Sequence, residues 1–580
     1  MLKGSSFSLL FLLLVFIPFF LGSFVIEPTG LPRFLVVSFI ALLLLVWQLG
    51  KREALIPDGI IFVPLVLIVA LSYCSIFWAT NEGEAIHDSN KFLLQLVLTI
   101  GFLNLLNTER DRTRVYISLC LAVLALSVFS FFEIIVGGED PSLAFHGNLL
   151  SSFLFLALIP AGLLFIEGKN FSRALSILTM VVALLMIFFL QSRAVWIASL
   201  FGVLAFVLLW WIRNKKRSTR LLVASVFVVF YLGGTIVGHW MVWKKHELVN
   251  ESTSSLKERQ LLWEKSVYLI AESPIQGVGA GNWQFEYSKF GVGDVEKTRF
   301  YNILFKRPHN DFLWVTTEIG IAGLVLTLLI ISVLGWKSLK LFLLNGNLKL
   351  LVILSGLIGF LFISFHSFPK ERLLHIVLTS IVVAVLLNEL KMTVTAKKAM
   401  SRSYILIGTV TVLFTLLAGS YRFKGEYYTY QLLQAKDEGK ATGMIKAGEK
   451  ALSFFYNVDP TMTPIQSYLG EAHLLLGEKE EMLFTSRKAF ETAPYHYKTV
   501  TNYGYALMLN FQLHQAKKIL LESHAINPYY EPTLLNLSVI SYNQGNYQEA
   551  MDWLSKIVGY QIKYPTNYQR ISEQLSVRRD

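Results

Sequence analysis

The sequence predicts an all-α protein: a polytopic helical membrane protein with roughly 13 spans, followed by a C-terminal α-solenoid. Three observations predict it. Of the 580 residues, 54% are hydrophobic and only 16% charged, with a mean hydropathy of +0.52, whereas an ordinary soluble domain is about half apolar and about a quarter charged. Apolar runs of about 18 residues or more, enough for a helix to cross a ~30 Å hydrocarbon layer, recur until about residue 421. After that point the runs stop and a 34-residue periodicity begins.

The first run, Phe7 to Ile26, is longer than the apolar core of a cleavable leader and lacks a small-residue cleavage site, so it reads as a retained anchor. Basic residues then fall in alternate loops: Lys51-Arg52; Arg110, Arg112 and Arg114; Lys169 and Arg173; Arg213 to Arg217 with Arg220; Lys337 and Lys340; Lys397, Lys398 and Arg402. Such loops are cytoplasmic, which puts the N-terminus inside. The intervening turns, such as Asn81-Glu82-Gly83-Glu84 and Gly138-Glu139-Asp140, are acidic or neutral. This distribution explains the net charge of +12 as membrane topology and argues against nucleic-acid binding. Cys74 and Cys120 lie in separate apolar runs, which supports neither a disulfide framework nor a cysteine metal site.

Four regions follow: 1–242 with nine spans, a long outer loop at 243–310, 311–420 with four more spans, and 421–580. The last span, Tyr404 to Ser420, makes the crossings odd, which puts the C-terminal region on the same outer side as the long loop. In that region Pro460, Pro494 and Pro528 are spaced by 34 residues, as are Gly470 and Gly504, Ala472 and Ala506, and Ala516 and Ala550. Small residues at that period, with Pro at the repeat end, resemble the tetratricopeptide repeat, whose helical hairpins stack into a solenoid with a concave binding surface. Either that surface holds a protein partner or the repeats are a structural cap.

Candidate chemistry gathers around the long loop. Ser255 to Ser273 reads as an amphipathic helix ended by Pro274, with Leu256, Trp263, Val267 and Ile270 on one face and Arg259 among them. That guanidinium either snorkels to headgroups or holds an anion. Gly277, Gly279 and Gly281 alternate in the loop behind it, and with no strand before them a dinucleotide-binding reading fails; a loop packed on the bilayer surface is the plain alternative. Arg193, in Gln191-Ser192-Arg193-Ala194-Val195-Trp196, stands at the hydrocarbon edge, where a charge is costly unless paired or used. His309, followed by Asn310 and a span containing Glu318, Gly320 and Gly323, is titratable near neutrality and suits either a structural or a proton-transfer role. No second His follows at metal-ligand spacing, so no metal is expected.

Ser192-Arg193-Ala194 with Trp196, Arg259 with Trp263, Pro274 before Gly277 to Asn282, and His309-Asn310 before Leu313, Glu318, Gly320, Gly323 and Leu324 occur in one order. Together they resemble the O-antigen ligase and polymerase family of bacterial inner-membrane proteins, over about residues 1–400 and most specifically from 190 to 325. The extra last span and the repeats depart from that family's usual pattern. The resemblance implies inverting, metal-independent and cofactor-free transfer of a preassembled glycan from undecaprenyl pyrophosphate, on the periplasmic side. The acceptor is a hydroxyl of lipid A-core, of a protein Ser or Thr, or of another glycan chain. It also implies that Arg193 and Arg259 hold the pyrophosphate and that His309 acts on the acceptor, with Asn310, Glu318, Gly277 and Gly279 in support. The competing class is a transporter or a membrane-anchored repeat scaffold; its usual marks, polar residues deep in spans and repeat-related halves, are not evident in the sequence.

Overall fold

The computed structural model describes residues 2–22, 24–49, 54–137, 147–214, 249–396, 398–557, 569–570 and 572–573. The expected ninth span, the loop start at Trp243, and Lys51, Arg52, Gly138 to Asp140, Lys215 to Arg217, Arg220 and Lys397 lie outside these. Within them the chain is helical almost throughout: α1 (Leu2–Phe16), α2 (Gly30–Leu49), α3 (Gly59–Cys74), α4 (Glu82–Leu105), α5 (Glu109–Gly137), α6 (Gly147–Glu167), α7 (Phe171–Phe189) and α8 (Arg193–Arg213) precede the long loop. That loop carries α9 (Val249–Glu272), α10 (Trp283–Glu286) and α11 (Glu296–Tyr301), and the spans resume with α12 (Asp311–Asn345), α13 (Leu348–His366) and α14 (Leu373–Glu389).

Nine described helices are long and apolar enough to cross a membrane, and two shorter apolar helices, Leu9–Phe19 and Leu373–Glu389, join them. α4 carries Glu82, Glu84, Asp88 and Lys91 in its first half and packs among these helices, its Leu94, Leu98, Phe102 and Leu103 buried in the same core as Leu44 of α2 and Leu387 of α14. The protein is therefore a multi-pass membrane protein.

Strands β1 (Ala54–Pro57) and β2 (Thr393–Ala396) form a two-stranded antiparallel ribbon that the periodicity does not anticipate. It closes two loops at one end of the helical bundle, and Asn104 supplies a side-chain amide to both backbone groups of Leu55, at 2.7 and 2.8 Å.

The span after His309 is broken. α12 leaves helical geometry at Ile319 and at Gly320 (φ 75°, ψ 178°). A break inside a membrane must have its freed backbone groups satisfied by other parts of the protein, and here the glycine loop does so. Val278 N–H donates to the Thr317 carbonyl at 2.8 Å, Gly279 N–H to that of Glu318 at 3.0 Å, and Ile321 N–H to that of Pro274 at 2.8 Å. The approach is so close that a Cβ on Gly320 would lie 1.8 Å from the Ile275 oxygen, and one on Gly277 2.4 Å from that of Glu318. The loop therefore packs on a broken helix and not on the bilayer surface.

α15 (Lys398–Asp437) does not stop at the expected end of the last span but runs on as one rod of 40 residues. It leads into α16 (Ala441–Ala451), α17 (Ile465–Leu476), α18 (Lys479–Thr492), α19 (Tyr497–Leu509), α20 (Leu513–Ile526), α21 (Glu531–Asn543) and α22 (Tyr547–Ser555). These are stacked helical hairpins. Gly504, one of the periodic glycines, sits where a Cβ would strike Leu520 at 2.7 Å, so the small residue is what lets α19 and α20 touch.

Candidate active site at one membrane face

Asn310 begins the site. Its side chain accepts from the N–H groups of Phe312 and Leu313, both at 3.0 Å, capping α12. His309 is thereby held just outside the helix in left-handed backbone (φ 58°), a conformation that non-glycine residues adopt at a cost and that recurs at functional sites. The half-buried imidazole meets Phe368 edge-on, with ring centres 5.0 Å apart. Burial pushes its pKa down to about 3, Arg259, Arg307 and Lys297 add cationic repulsion, and Glu371 opposes them. At ordinary pH the ring is neutral.

Arg259 is close enough to His309 to depress it, and is itself half-buried. Its guanidinium is lowered by burial, with Glu258 opposing. The α9 face differs from the expected one. Leu262, Ser266 and Leu269 are buried, while Leu256 and Val267 are exposed, because a helix at a membrane surface can turn apolar groups outward. Trp263 does face the site: its Nε1–H donates to the Pro308 carbonyl at 2.8 Å, fixing α9 to the residue before His309.

Arg193 opens α8 and is exposed. α8 and α13 pack through small residues; a Cβ on Gly359 would lie 2.6 Å from the Ala198 oxygen and one on Gly202 3.1 Å from that of Ser355. This antiparallel contact sets Arg193 on the level of the last turn of α13, where Phe365 and His366 meet Trp263, ring centres 5.7 and 6.2 Å apart. Arg193 and Arg259 form no hydrogen bond or ion pair among the described residues.

Glu318 is buried immediately before the helix break, 3.5 Å from Lys370 Nζ, with Trp283 N–H at 3.4 Å. Gly277 and Gly279 shape the loop that holds this break and do not reach His309 through any described contact. Asn310 and the two glycines thus act on the backbone.

Sequence reasoning missed the segment Pro369-Lys370-Glu371-Arg372. Arg307 pairs with Glu371, and its guanidinium lies 4.7 Å from the centre of the Phe368 ring. Burial alone raises the Glu371 carboxyl, but Arg307, Arg372 and Lys91 outweigh it and hold it well below the usual range. Lys370 stacks 3.5 Å from the Trp314 ring centre, and its backbone N–H donates to Asp311 at 3.1 Å. The signal was present: four residues with three charges interrupt two apolar runs.

Beneath Lys370 and Asp311 opens an apolar cavity of about 330 Å³ between α3, α4, α12, α13 and α14. Leu65, Phe92, Ile330 and Leu361 line it, and it extends down α12 as far as Ser338.

These features define a polytopic helical membrane protein with a cation-rich site at one face, above an intramembrane apolar groove, and a helical repeat domain. Residues 178–328, which contain Arg193, Arg259 and His309, match the family model for O-antigen ligase. No curated protein matches the chain. Among solved structures, a crystal structure of YrrB, described as a TPR protein with an unusual peptide-binding site, is similar over 30% of this chain and 83% of its own, at 15% identity and a TM-score of 0.23.

Proposed function

We propose that this protein is a ligase-type glycosyltransferase that moves a preassembled glycan from undecaprenyl pyrophosphate to an acceptor hydroxyl, without metal and with inversion, on the periplasmic side of the bacterial inner membrane. One observation carries the reading: a neutral imidazole, with the Arg259 guanidinium close enough to act on it, immediately precedes the Asn310 cap, Asp311 and Phe312, and the last two line an apolar groove. A polyprenyl diphosphate has that polarity, a long apolar tail ending in an anion. Arg259 and Arg193 bind the diphosphate, since a guanidinium presents paired N–H donors to phosphate oxygens. The acceptor oxygen attacks the anomeric carbon, the bond from that carbon to the diphosphate oxygen breaks, and the electron pair leaves with the diphosphate. The hydroxyl proton passes to His309. The two arginines stabilise the charge developing on the leaving group, and the groove supplies proximity by fixing the lipid.

His309→Ala should abolish transfer while the protein stays monodisperse in detergent; undiminished transfer would remove His309 from the reaction. Mass analysis of products made from purified lipid-linked glycan with lipid, protein or glycan acceptors identifies the acceptor.

A further inference from the structure

The periodic turns of the repeat domain are buried against the loop that carries the site. Phe285 of that loop packs against Val458 and Ala493, and beside it Asn81, the cap of α4, donates through Nδ2 to Asn457 Oδ1 at 2.8 Å. Ser288 Oγ donates to the Tyr495 carbonyl and Val292 N–H to that of Ile526, both at 2.8 Å. Gly293 abuts Pro528, where a Cβ would come within 2.8 Å of Cδ, and the Arg299 guanidinium lies 3.9 Å from the centre of the Tyr529 ring. The partners on the repeat side are the 34-spaced Pro460, Pro494 and Pro528 positions and their neighbours. The described turns at these three positions thus form one docking edge.

Beside that edge, the first turn of α19 holds the turn that leads towards His309. Asn302 ends α11 in left-handed backbone (φ 55°). Lys498 Nζ donates to its carbonyl at 2.9 Å, and Tyr497 Oη to its side-chain oxygen at 3.3 Å. Three residues later Phe305 N–H donates to Tyr287 Oη at 2.8 Å. Tyr287 stacks on Trp283 with ring centres 4.4 Å apart, and Trp283 Nε1–H donates to Ser266 of α9 at 2.9 Å. Tyr497, Tyr287, Trp283 and Leu262 share one buried apolar cluster with Trp314 of α12. The repeat domain, the Arg259 helix and the segment leading to His309 therefore meet in a single core.

We propose that the repeat domain is a built-in positioning element of the site: Lys498 and Tyr497 fix the Asn302 turn and, through it, the placement of His309 relative to Arg259. This rests on the transferase reading for its kinetic consequence but not for its structural one. A misplacement of about 1 Å costs up to about a hundredfold in rate, so a partly released turn lowers turnover without touching the donor groove.

The test compares the full-length protein in detergent with Lys498→Met, Lys498→Arg and Tyr497→Phe. Backbone hydrogen exchange is followed over 303–309 and over the repeats, and turnover is measured with polyprenyl-pyrophosphate-linked glycan. Expected in Lys498→Met are faster exchange confined to 303–309 and a roughly tenfold lower kcat at unchanged donor KM, both restored by Lys498→Arg, with a smaller effect in Tyr497→Phe. Unchanged exchange and kcat in Lys498→Met, or exchange that rises equally through α17 to α22, overturns the proposal. Faster exchange at 303–309 in a protein whose unsubstituted form transfers nothing supports the clamp and sinks the transferase reading alone.

Discussion

A buried ion-pair network at one end of the membrane domain contrasts with two unpaired guanidiniums at the other. At the end that carries the β-ribbon, Lys349 reaches Glu167 at 2.6 Å and Glu389 at 2.8 Å, Arg112 reaches Glu167 at 3.2 Å, and Asn347 donates to Glu389 at 3.0 Å. Every cation in that network has a carboxylate. At the other end Arg307, Lys370 and Arg372 are likewise paired, but Arg193 and Arg259 are not. Arg193 is exposed, but Arg259 is half-buried, and a charge brought partly out of water without a partner is costly. The difference teaches that paired cations hold helices together, whereas Arg193 and Arg259 leave their N–H donors open, as the proposed diphosphate contact requires.

The comparison can be broken most forcefully at the scaffold. Gly320→Ala forces a Cβ to 1.8 Å from the Ile275 oxygen at φ 75°, so a loss above about 4 kcal/mol is expected, read as disappearance of monodisperse protein on size exclusion. Glu371→Gln removes the carboxylate paired with Arg307 and leaves Arg372 only Glu27, at 3.6 Å, and should cost about 3 kcal/mol in thermal unfolding. Arg259→Met should behave in the opposite manner, with stability within about 0.5 kcal/mol but transfer reduced about a hundredfold. A large stability loss there would mean that Arg259 is structural. Asn310→Ala removes only a cap and should cost about 1 kcal/mol, with thermal unfolding again the measurement.

The pH profile sharpens the same contrast. In the free protein His309 is neutral above its depressed value of about 3, so kcat/KM should stay level from about pH 8 to about pH 5. A bound diphosphate cancels the repulsion from Arg259 and raises the imidazole, so the acid limb of kcat should lie at higher pH than that of kcat/KM. Coincident limbs near the ordinary histidine value would show that the cationic surroundings do not govern His309.

The spans, the repeat and the order of Arg193, Arg259 and His309 are legible in the sequence because they rest on local composition. Apolar run length reports crossing, a fixed period reports stacked hairpins, and an unpaired Arg beside hydrocarbon stands out by its cost. Which face of α9 turns inward, why Gly277, Gly279 and Gly320 must be glycine, and that Pro369 to Arg372 joins the site were decided only by the tertiary structure. Each depends on a partner distant in the chain: Thr317 and Glu318 for the glycine loop, Arg307 for Glu371, Asn302 for Lys498. A single sequence records the spacing of residues along one chain, but a hydrogen bond or ion pair forms by proximity in space, and that proximity arises only when the helices pack.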